Sequence, residues 1–158
     1  TLAMMINKRT SVKDGIIYWV SQFLGAIAAS GFLSIFTNAL NISSDEMGQT
    51  DFPDISAGTA FLFEAVITFL FIFVILMVTS KKYGNSTMAP VAIGLVLSFL
   101  IIVALNLTGG SLNPARSFGP AIFAGGSALS HYWVYLCAPL VGAVVAAICG
   151  KLMGSEEE

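Results

Sequence analysis

Four long apolar stretches, residues 15–39, 57–80, 88–107 and 132–152, leave this chain little choice of environment. Each is about 20 residues or more, the length a helix needs to cross the hydrocarbon core of a bilayer. Only 10% of residues are charged, against about 25% in soluble domains. Within lipid every backbone amide must be paired inside its own segment, so these stretches predict an all-α membrane protein. Two apolar pieces are too short to cross. Residues 113–124 fit a re-entrant half-helix, and residues 1–7 have the same stub character. The latter lack the basic start and cleavage site of a signal peptide.

Charge sets the expected orientation. Lys8, Arg9 and Lys13 precede the first span, Lys81 and Lys82 follow the second, and Lys151 closes the fourth. Alternating spans put all of them, with the C-terminus, on one side, which the bias of basic loops makes cytoplasmic. Asp45, Glu46, Asp51 and Asp54 fall in the opposite loop, and Glu156, Glu157 and Glu158 read as a solvated end. Cys137 and Cys149 are twelve residues apart in one helix, about 18 Å along its axis and beyond bridging distance. They read as small buried apolar groups.

Arg116 is the one cation with no loop to sit in. It belongs to the run Thr108-Gly109-Gly110-Ser111-Leu112-Asn113-Pro114-Ala115-Arg116-Ser117-Phe118-Gly119-Pro120. Asn113 is a favoured helix N-cap and Pro114 suits the first helical position, where its missing N–H is no loss. Bare backbone and a guanidinium at membrane depth are tolerated only where they are buried in protein or line a wet cavity. The run reads as the wall of a polar path.

There is also an internal repeat. Gly25-Ala26-Ile27-Ala28-Ala29 matches Gly142-Ala143-Val144-Val145-Ala146 at an offset of 117, and Tyr18 pairs with Tyr135. The same offset sets Thr1 just after Arg116, so an Asn-Pro-Ala-like cap is expected a few residues upstream of Thr1.

The Asn-Pro-Ala-Arg string opening a half-helix resembles the second signature loop of the aquaporin (major intrinsic protein) family. Further similarities run in family order: Tyr18-Trp19, Gln22 and Gly25-Ala26; Glu64 with Thr68; Ala92-Ile93-Gly94-Leu95; and Tyr132-Trp133-Val134 with Pro139 and Gly142. The resemblance covers nearly the whole chain. It implies an aquaporin-like right-handed helical bundle, with residues 1–158 forming part of one channel domain: spans three to six, the second half-helix at 113–124, and the end of a first half-helix at 1–7.

It also implies roles. Asn113, Pro114 and Ala115 form the pore motif, with the Asn113 amide donating to a passing water. Arg116, Ile101 and Gly110 occupy filter positions, the guanidinium offering fixed donors and repelling cations. Gly109, Gly110, Ser111 and Leu112 present a ladder of carbonyls, which glycine's backbone freedom permits. Gln22 and Glu64, polar groups in apolar spans, support the pore loops from behind, although an intramembrane Glu64 also suits a proton relay. Leu97 either lines the pore or faces lipid, and His131 reads as an interfacial residue.

The filter departs from the water-specific pattern. Ile101 stands where histidine is usual and Gly110 where cysteine or threonine is, so a wider, less polar aperture admits glycerol or ammonia beside water. Ser117, however, replaces the aspartate of dedicated glycerol facilitators. The expected function is a passive channel for water and small uncharged solutes, working as a homotetramer in the plasma membrane with no cofactor, metal or nucleic acid. A single histidine and the lack of any nucleophile or phosphate-loop constellation point away from an enzyme. Two alternatives stay open: a secondary-transporter fragment with a broken-helix binding site, and a channel fragment without activity of its own.

Overall fold

Where helices begin and end in this chain is decided by a few side chains that satisfy orphan amides. In the computed structural model, which describes residues 1–43 and 46–155, seven helices form: α1 (Leu2–Ile6), α2 (Val12–Ala39), α3 (Ala57–Val78), α4 (Ala89–Ala104), α5 (Pro114–Ala124), α6 (Gly126–Ser130) and α7 (Tyr132–Leu152). The charges at Asp45 and at Glu156–Glu158 lie outside the described residues. Ser11 caps α2, accepting the Asp14 N–H at 3.1 Å, so this helix starts three residues before the apolar stretch does. Ser56 caps α3 in the same way through Thr59.

Among the described residues, α2, α3 and α7 are long and apolar enough to cross a membrane. The fourth apolar helix, α4, has only 16 residues, about 24 Å of rise. It is shorter than the stretch 88–107 that contains it. The N–H groups of Leu107, Thr108 and Gly109 all turn back onto the Ala104 carbonyl, at 3.0, 3.0 and 3.2 Å. Gly109 then takes φ +75° and turns the chain away from the helix.

The helices pack through small residues. A Cβ at Gly142 on α7 would overlap the Ala65 carbonyl of α3, and one at Gly119 on α5 would sit 2.5 Å from the Ala26 carbonyl of α2. Such bare surfaces let backbones approach closely where no aqueous hydrophobic force drives helices together. Ala3 of α1 meets Leu76, Ala143, Ala146 and Ala147 in one buried cluster, so α1 lies against α7 as α5 lies against α2. The repeat that pairs α1 with α5 and α2 with α7 therefore appears in the packing. Each half-helix rests on the long helix of the opposite half, and the two short segments are held inside the bundle.

Candidate functional site

The site is built outward from Glu64, fully buried on α3. Its carboxylate accepts the Thr108 hydroxyl at 2.7 Å and the backbone N–H groups of Ser111 and Leu112 at 3.0 and 3.2 Å. Tyr135 of α7, also buried, donates its hydroxyl to the Thr108 carbonyl at 2.8 Å. These bonds hold a segment that is not otherwise favourable. Gly109, Gly110 and Leu112 all have positive φ, and for Leu112 that conformation costs about 1–2 kcal/mol. Charge-assisted bonds to a buried carboxylate offset such strain.

A trans peptide points its N–H and C=O in opposite directions. With the N–H groups of Ser111 and Leu112 aimed at Glu64, the carbonyls of Gly110 and Ser111 point the other way. Gly110 and Ser111 line a cavity of about 760 Å³ on that side.

The half-helix α5 starts at the same cavity. Asn113 has extended backbone, φ −152° and ψ 118°, and its Oδ1 accepts the Ala115 N–H at 2.9 Å. The cap uses the oxygen, and the two donors of Nδ2 remain. Pro114 follows at the first helical position. One turn on, Arg116 is exposed to the cavity, and its Nη1 donates to the Gly48 carbonyl in the α2–α3 loop at 2.8 Å. The partial positive charge of the α5 N-terminus and the guanidinium thus stand side by side. Behind them a hydroxyl chain runs from Thr50 to Ser117 at 2.8 Å, on to Ser111 at 2.7 Å, and to the Asn113 carbonyl at 3.2 Å.

The opposite wall is largely apolar. Ile101 on α4 lines the cavity next to Gly110: a Cβ there would lie 3.6 Å from the Ile101 Cα and 3.2 Å from the Ala104 Cβ. Leu97, one turn earlier on the same helix, lines it as well. The cavity therefore gathers Asn113, Pro114, Ala115, Arg116, Ile101, Gly110, Ser111 and Leu112. Gly109 lies behind it, against Thr50, whose Cα is 3.0 Å from where a Gly109 Cβ would be. Gln22 lies on α2, where its Nε2 donates to the Thr1 hydroxyl at 3.0 Å, at the start of α1 and on the border of the cavity. Within this chain the contacts of α2 run mainly to α5.

Several contributing residues had no sequence signal of their own. Gly48 and Thr50 sit in a loop whose folding back onto α5 only tertiary structure reveals. Tyr135 is visible as a repeat-paired tyrosine, but its hydrogen bond is not. His131 has a partner that the sequence did not indicate. Its Nδ1 lies 2.6 Å from Asp51 Oδ1, and its ring stacks on Phe52 at 4.2 Å. Asp51 also accepts the Ser127 hydroxyl and the Phe52 N–H. Partial burial pushes the Asp51 carboxyl up, but the bonds from Ser127, His131 and Phe52 and the His131 charge outweigh it and hold it below the usual carboxylate range.

Among the described residues no group of three histidine, cysteine or acidic side chains is placed to hold a metal ion. Over residues 1–149 the chain matches the family model described as Major intrinsic protein. The chain belongs to that family. It is 60% identical over 157 residues to a glycerol uptake facilitator protein-like 6 from Lactiplantibacillus plantarum, covering 99% of this chain and 73% of the relative. To aquaporin Z of Brucella melitensis it is 37% identical over 163 residues, covering 99% of this chain and 71% of the other. Its fold is similar to the X-ray structure of the aquaglyceroporin from Plasmodium falciparum, with a TM-score of 0.82 at 25% identity, over 97% of this chain and 70% of that one. As a member of the family, with membrane-length apolar helices, it is an integral membrane protein.

Proposed function

We propose that the protein is a passive transmembrane channel for water and small neutral solutes, glycerol and ammonia among them, and that it rejects ions and protons. The observation that carries this reading is a single cavity shared by the Asn113 amide, the Gly110 and Ser111 carbonyls and the Arg116 guanidinium, with Ile101 and Leu97 as apolar wall. Donors and acceptors that exchange for a solute's water shell, set beside a hydrophobic face, suit a small polyol or water. A fixed cation beside a helix N-terminus raises the potential against cations.

In this reading Asn113, Pro114 and Ala115 form the pore motif, and Arg116, Ile101 and Gly110 the narrow filter. The backbone of Gly109 to Leu112 supplies the carbonyl ladder, while Glu64 braces it and Gln22 holds the first short segment. Relatives named as a glycerol facilitator and as aquaporins support a channel over a transporter or an enzyme. The basic clusters at Lys8, Arg9 and Lys13 and at Lys81 and Lys82 support a cytoplasmic side for those loops and the C-terminus, in a plasma-membrane protein. The exposed apolar faces of α2 and α4 suit lipid and the contacts of a homotetramer.

The test is vesicle swelling driven in turn by water, glycerol and ammonia gradients, in proteoliposomes of the full-length protein. Flux of water and at least one of the two solutes, without current carried by Na⁺ or H⁺, supports the reading. Ion-carrying flux contradicts it.

A further inference from the structure

The α2–α3 loop is fastened at two places only three residues apart, and the two fastenings serve different partners. At one, the Gly48 carbonyl accepts from Arg116 Nη1 at 2.8 Å. At the other, the Asp51 carboxylate is gripped by His131 Nδ1 at 2.6 Å and by the Ser127 hydroxyl, side chains of the α6–α7 corner. Around them the segment is wedged in: Met47, Thr50 and Phe52 are at most 4% exposed. Phe52 stacks on the His131 ring, and the Thr50 backbone packs where Gly109 leaves no room for a Cβ. A Cβ added at Gly48 meets no atom within 4 Å, so open space lies on that side of the residue.

We propose that Asp51 and His131 are positioning residues for Arg116: their clamp sets where the Gly48 carbonyl stands, and so where the guanidinium is held across the cavity and how large a solute passes. The proposal rests on the channel reading above and adds to it a specificity device outside the cavity. Asp51 and His131 touch no permeating molecule. They act through the two intervening residues, Gln49 and Thr50, and one hydrogen bond. Releasing the clamp lets the loop and Arg116 move, which relaxes the size limit at that point.

The test compares water and glycerol permeability of the full-length protein in proteoliposomes for wild type, Asp51→Ala, His131→Ala and Asp51→Asn, each also combined with Arg116→Val. Asp51→Asn keeps an oxygen to accept from His131 and is the variant that folds if the alanine forms do not. The expected result is a glycerol-to-water ratio raised about threefold by either alanine change, partly restored by Asp51→Asn, and moved by less than about half as much when Arg116 is absent. A loop needed only for stability would shift amounts of folded protein and not this ratio, and its effect would persist without Arg116. Equal ratios in all variants, or shifts of the same size with and without Arg116, overturn the clamp while leaving a conducting wild type intact. A wild type that conducts neither solute above empty vesicles overturns the channel reading, and the clamp falls with it.

Discussion

Glu64 and Ser111, 47 residues apart in sequence, meet where the buried carboxylate accepts the Ser111 N–H at 3.0 Å. That bond, with those from Leu112 and Thr108, aligns the backbone on which the candidate filter is built. Removing the acceptor leaves three buried donors unpaired, at about 1–3 kcal/mol each when unrelieved. Glu64→Ala is expected to lower the thermal unfolding midpoint in detergent and to reduce solute flux. Glu64→Gln keeps one acceptor but turns amide donors toward the N–H groups, so it recovers only part of the loss.

Close helix approach gives a second expectation. Gly119→Ala puts a methyl 2.5 Å from the Ala26 carbonyl, and Gly142→Ala one against the Ala65 carbonyl, both rigid backbone atoms. Overpacking of this kind costs about 1–3 kcal/mol. Each change is expected to reduce folded yield and resistance to heat, read by fluorescence-detected size exclusion after a temperature series. Unchanged profiles would mean that the helices lie farther apart than described.

Asp51 gives a pH dependence with a definite sign. Its native carboxyl holds a proton less tightly than in the unfolded chain, so the unfolded state takes up more protons as pH falls. The stabilisation is complete above the ordinary carboxylate pKa of about 3.9 and is lost as pH drops through it toward the lowered native value. Unfolding midpoints measured from pH 6 to pH 3 (roughly the window either side of that pKa) are expected to fall more steeply for wild type than for Asp51→Asn. Parallel curves would contradict the assignment.

Solute choice is expected to follow the Ile101 and Gly110 pair. Ile101→His adds a polar ring beside the open Gly110 and is expected to cut glycerol flux about tenfold relative to water, the scale of a small change in pocket size. The ratio is measured from the two phases of volume change when glycerol-loaded vesicles are diluted.

Much of this was legible in the sequence because the physics is local. The spans follow from apolar length. The start of α5 follows from Asn113 and Pro114, whose cap and missing N–H act within one turn. The need of Glu64 for partners was legible too, since a buried carboxylate in an apolar helix must find donors. What stayed hidden is long-range. The Arg116 partner is a backbone carbonyl in a loop 68 residues away, and a carbonyl has no sequence signature. The early end of α4 depends on three N–H groups sharing the Ala104 carbonyl, which apolar Leu105 and Leu107 conceal. His131 reads as an interfacial residue, and its bond to Asp51 shows only once the loop is folded.

The central claim concerns a conduit, so the most direct measurement is how water flux depends on its driving force. In stopped-flow shrinkage of proteoliposomes carrying the full-length protein, the account predicts flux linear in osmotic gradient. It also predicts an activation energy close to that of free diffusion and no response to imposed ion gradients. Flux that saturates with solute, or that requires a co-transported ion, would contradict it.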